Sequence, residues 1–101
     1  MRESISIRYE LGDLKGLAFS FGALAMSMHA LDCSILAAQL ASASARIRRE
    51  LGVVIVPATR EENENFNTQL RLSLGGTAFD TAWLQGQTMP LEQVVALAYK
   101  E

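Results

Sequence analysis

Aromatic rings are scarce in this chain: they make up 7% of its 101 residues, and only one of them is a tryptophan. Cysteine and histidine are rarer still, with one of each. A single cysteine excludes an internal disulfide and points to a reducing compartment. One histidine and one cysteine are too few for a self-contained zinc site, so no metal and no cofactor is expected. Neither charge sign dominates, because nine Lys and Arg stand against eleven Asp and Glu for a formal net charge of −2. A dedicated nucleic-acid binder needs a broad basic face, which this balance does not supply. Long hydrophobic runs are missing as well. The longest stretch without Asp, Glu, Lys or Arg is 16–31, sixteen residues against the 18 or more of a spanning helix. Arg2, Glu3, Arg8, Glu10 and Asp13 put mixed charge where a signal peptide would be apolar. No membrane role is expected, and the cytoplasm is the expected location.

Half of the residues are apolar, and Ala and Leu are abundant. This is helix-forming material, too apolar for a disordered chain and long enough for one domain with its own core. Periodicity fixes where the helices lie. Leu14, Leu17, Phe21, Leu24, Met28 and Leu31 recur every three or four residues, as do Leu36, Leu40, Ala43, Ile47 and Leu51. A turn near Ala30 to Cys33 joins the two stripes into an antiparallel hairpin over residues 13–51. Ala23, Ala25, Ala37, Ala38, Ala41, Ala43 and Ala45 keep these helices slim enough for a close approach of their axes. Residues 1–11, with Ile5, Ile7 and Leu11, read as the tail of a preceding helix.

Gly52 reads as the residue that ends the second stripe, with Arg48 and Arg49 in its last turn. Val53 to Val56 is the one strand-like run, taken as an extended connector. Thr59 and Glu62 fit a capping box, which predicts a helix from about Arg60 to Leu74 with Glu61, Glu62 and Glu64 in its first turn. Gly75 and Gly76 should end it. Thr77 should cap a short helix holding Phe79, Ala82 and Trp83 and closed near Gly86, and Pro90 should start the last one. Residues 59–101 thus form a set of C-terminal capping helices. The expected fold class is all-α, four to six helices built as a helical hairpin capped by three C-terminal helices.

The order of segments resembles a known type. The run from Leu11 to Gly52, followed by Gly75, Phe79, Ala82, Trp83, Gly86, Leu91, Glu92, Val95 and Ala98, is similar to the C-terminal end of bacterial LuxR-type, MalT-like regulators. Those proteins join an NTPase module to tetratricopeptide repeats. The resemblance covers the chain from about residue 4, and the Phe79 to Gly86 segment is its most specific part. On the 34-residue repeat, Phe21, Leu24, Ala25, Met28 and Ala37 fall at packing positions. Asp32 departs from the usual Gly of the turn, Ser44 from Ala and Pro90 from a Ser or Thr cap. Neither a G-x-x-x-x-G-K-[ST] loop nor a helix-turn-helix reader is present in the sequence. The resemblance implies a tetratricopeptide-like end region and a role in transcription regulation as one part of a longer regulator.

The function expected on these grounds is non-enzymatic: capping a repeat array and docking a protein partner. Capping is physical, because the last unit of a solenoid must hide a face that no neighbour covers, a task that falls to Phe79 and Trp83. Ile5, Ile7, Leu11 and Leu17 should form an apolar surface at the other end, available to a partner or to self-association into a dimer. Catalysis is not expected, since no nucleophile, base and orienting group converge. His29 and Cys33, four apart, read as a packed turn pair rather than a reactive one. Two alternatives belong to other classes: a small-molecule sensor between the hairpin and the tail helices, and a DNA-binding regulator using Arg46, Arg48 and Arg49.

Overall fold

In the computed structural model, residues 2–53 and 55–99 are described, with side chains for 5–53 and 55–98. Among the described residues the protein is all-α, six helices without a strand: α1 (Arg2–Glu10), α2 (Leu14–Ala30), α3 (Ser34–Leu51), α4 (Pro57–Leu74), α5 (Gly76–Thr88) and α6 (Leu91–Tyr99). Asp13 opens α2 by accepting a hydrogen bond from the Gly16 amide at 3.0 Å. The helix stops at Leu31 because Asp32 turns left-handed, φ 63°, and the Cys33 amide reaches back to the Met28 carbonyl at 2.8 Å. Gly52 ends α3 in the same way at φ 67°, with the Val53 amide on the Arg48 carbonyl, as its sequence position predicts. Of the Val53 to Val56 connector, Val54 lies outside the described residues, and Val56 is extended.

The hairpin is antiparallel. Ser34 sits beside His29 at the turn, and the Ser44 hydroxyl donates to the Ala18 carbonyl at 2.6 Å farther along. Both stripes face inward in their centres: Leu17, Phe21, Leu24 and Met28 are buried against Leu40, Ala43 and Ile47. Leu14, Leu31 and Leu51, at the stripe ends, are exposed. α3 is the hub, packed against α2, α4, α5 and α6. α6 also packs on α1, so the first and last helices meet.

Four local expectations need correction. The capping box is not used: Pro57 starts α4, because its fixed φ suits the first helical position, and Thr59 lies inside the first turn. Glu61, Glu62 and Glu64 therefore fall past that turn. Thr77 does not cap α5, which begins at Gly76 with Gly75 in the cap position at φ 83°. Nor does Gly86 close α5. The helix runs through it to Thr88, and Gly86 instead marks where α5 crosses α3.

Candidate functional site

The crossing of α3 and α5 is built from small and polar residues. A Cβ on Gly86 would fall 2.5 Å from the Ser42 Cβ and would overlap the Gln39 carbonyl oxygen. Only glycine lets these backbones come so close. At that distance the polar groups must be paired, and they are. The Ser42 hydroxyl donates to the Trp83 carbonyl at 2.5 Å, and the Gln87 amide donates to the Ser42 carbonyl at 2.9 Å. Arg46, almost buried, donates to the Gln87 and Met89 carbonyls at 3.0 and 2.6 Å and so caps the end of α5. Arg49 reaches the Gln87 side chain at 2.8 Å.

That arrangement divides the arginine cluster. Arg46 and Arg49 hold α5 in place. Arg48, half-buried, makes no hydrogen bond or ion pair among the described residues. The three residues therefore do not present one basic face.

Of the expected apolar surface, only half is on the outside. Ile5 and Leu17 are both 0% exposed, whereas Ile7 is 56% and Leu11 76% exposed. Two corrections follow, each with a geometric cause. Residues 5 and 7 lie about 200° apart around a helix, so they cannot share a face, whereas 7 and 11 can. Leu17 belongs to the inward stripe of α2, and α6 returns over α1 to help cover Ile5. Ile7 and Leu11 remain exposed, with Leu14 at the start of α2 exposed as well.

Phe79 and Trp83 lie one turn apart on α5, with their rings stacked at 5.6 Å and 25°. Phe79 is buried and carries the Arg71 guanidinium 4.6 Å above its ring, with Asp80 holding Arg71 at 3.0 Å. Trp83 is half-buried. The pair joins α5 to α4, the two helices being packed together.

His29 and Cys33 do not meet as a reactive pair. The His29 Nδ1 lies 3.1 Å from the Ser34 hydroxyl, and its ring stands edge-on to Phe66 at 5.6 Å. The Cys33 thiol points to the Leu31 carbonyl. Among the described residues, no group of three or more His, Cys, Asp or Glu gathers as a metal site would require.

A second concavity lies on the other side of α3. α4 packs on α3 and α5, and it meets α2 through the rings of His29 and Phe66. The space left between α2 and α4 is a cleft of about 350 Å³ floored by α3. Gly22, Ala23, Ala41 and Ala45 line it with small side chains, which leave room between the larger walls. Phe19, Met26, Phe66 and Trp83 supply its apolar walls, and Arg48 and Glu62 its charges. The sequence offered a ligand between the hairpin and the tail helices as an alternative, but periodicity did not expose this lining, since Phe19 and Met26 fall off the core stripe of α2. Their signal was there in one form: two large apolar residues seven apart on the outer face, 65% and 46% exposed.

No family model, no curated protein and no solved structure matches the chain. What the fold defines is a six-helix all-α domain. None of its described helices is long and apolar enough to cross a membrane.

Proposed function

We propose that the chain is a non-enzymatic protein-docking domain, the closing hairpin and cap of a tetratricopeptide-like array of the kind that ends bacterial LuxR-type, MalT-like regulators, at work in the cytoplasm. The observation that carries this reading is the exposure of three large aliphatic side chains, Ile7 on α1, Leu11 in the turn after it and Leu14 at the start of α2. Exposed aliphatic side chains at one end of a helical array are the kind of surface on which a further helix packs. The order of elements supports it: one helix, an antiparallel pair, then three helices that pack on the pair, the last of them also reaching α1. Phe79 and Trp83 serve as the cap, fixing α5 to α4. The docked partner is another helical protein segment, and for the chain by itself that segment is a second copy. The paired Arg46 and Arg49 favour a structural role for the basic cluster over contact with nucleic acid.

Sedimentation velocity across a wide concentration range tests this. The chain is expected to pass from monomer to dimer, and the double variant Ile7→Lys, Leu11→Lys to stay monomeric with its helix content unchanged. A clean monomer at high concentration, or a dimer that survives both lysines, would overturn the proposal.

A further inference from the structure

We propose that the cleft over α3 binds a small amphipathic carboxylic acid, an acyl or aryl acid with a single negative charge. Its apolar body lies against Phe19, Met26 and Trp83, and its carboxylate meets the Arg48 guanidinium. The inference does not depend on the docking role. A volume of about 350 Å³ lies within the range of small-molecule sites, which pair mostly apolar walls with a few polar groups. This cleft has that composition.

The charge is the discriminating feature. Arg8, Arg46, Arg49 and Arg71 each donate to a carbonyl, a side-chain oxygen or a carboxylate within the chain. Arg48 does none of these among the described residues, although it is half-buried in an apolar wall. A guanidinium has five N–H donors in a fixed fork that matches a carboxylate. Withdrawn in part from water, those donors gain most from an anion brought by a ligand. Gly22 lies beside this guanidinium, where a Cβ would stand 3.6 Å from the Arg48 Nη2, in ordinary contact.

The opposite wall limits the ligand to one charge. Glu62 of α4 faces the same cleft and would repel a phosphate or a dicarboxylate. Thr59, Asn63 and Asn67 add neutral polar groups on that side. Ser44 adds none, because its hydroxyl already donates to Ala18. Trp83, the only tryptophan of the chain, lines the cleft and reports on it directly.

Decanoate is the probe, titrated into the whole chain below its micellar range and followed by Trp83 fluorescence and by calorimetry, with decanol as the neutral comparison. Saturable 1:1 binding is expected, with decanoate roughly tenfold or more tighter than decanol, the size of one charge-assisted contact. Arg48→Gln should remove that preference and leave decanol binding as it was. Ala23→Leu fills the cleft without touching the charge and should weaken both ligands, with far-ultraviolet dichroism showing the helices intact. Equal affinity for the two ligands, a preference that survives Arg48→Gln, undiminished binding to Ala23→Leu, or no binding by the parent chain would each overturn the proposal.

Discussion

The two sides of α3 are made from the same kinds of residue and reach opposite outcomes. Toward α5, Ser42 faces Gly86, the backbones nearly touch, and hydrogen bonds from Ser42, Gln87, Arg46 and Gln39 span the crossing. Toward α4, Ala41 and Ala45 face a helix that stands off, and the same small side chains leave a cleft. Small residues permit close approach only when the partner helix is held in place to exploit it. On the α5 side, hydrogen bonds across the crossing do the holding. On the α4 side, the named contacts are the Phe66 ring on His29 of α2 and the Arg71 guanidinium over Phe79 of α5. A tight, satisfied seam serves stability, whereas an apolar cleft with one idle cation is suited to binding.

The largest contrast should come from two apolar side chains, one in the closed core and one on the cleft rim. Leu40, 0% exposed, should cost about 2–5 kcal/mol when cut to Ala, while Phe19→Ala on the cleft rim should stay within about 0.5 kcal/mol. Urea unfolding measures both. A smaller contrast separates two arginines of one helix turn. Arg46→Gln abandons two carbonyls at the end of α5 and should cost about 1–3 kcal/mol. Arg48→Gln abandons no partner and should leave stability within about 0.5 kcal/mol. If the two arginines proved equal in thermal melts, the division between seam and cleft would lose its electrostatic basis.

Much of this fold was legible in residue order. The stripe through Leu17, Phe21, Leu24 and Met28, the turn at Ala30 to Cys33 and the stop at Gly52 follow from helical period and cap chemistry, which are local. The errors at α4 and α5 are also local in kind. A Thr with a Glu three residues on resembles a cap, but Pro57 upstream had already begun the helix, and Gly75 took the cap position ahead of Thr77. The burial of Ile5 was not legible, because it joins a core that includes residues of α6 almost 90 positions away, and nothing local announces that. Gly86 was read as a stop for the same reason. Its purpose is a crossing with Ser42, which only the tertiary arrangement reveals. A ligand held between the hairpin and the tail helices was one alternative in the sequence, but the lining of the cleft was not legible there. Arg48 looked like one of three equivalent arginines until α5 claimed the other two.

The central claim, that α5 is locked against α3 while the α4 side stands open, is tested most directly by two glycines. Unfolding free energies of Gly86→Ala and Gly22→Ala should move in opposite directions. A methyl at Gly86 collides with the Gln39 backbone and should cost about 1–3 kcal/mol despite its better helix propensity. At Gly22, a methyl would meet the Ser44 hydroxyl oxygen at 3.4 Å, an ordinary contact, and should stabilise by up to about 1 kcal/mol. Stabilisation by both substitutions would contradict the lock, and destabilisation by both would contradict the open side.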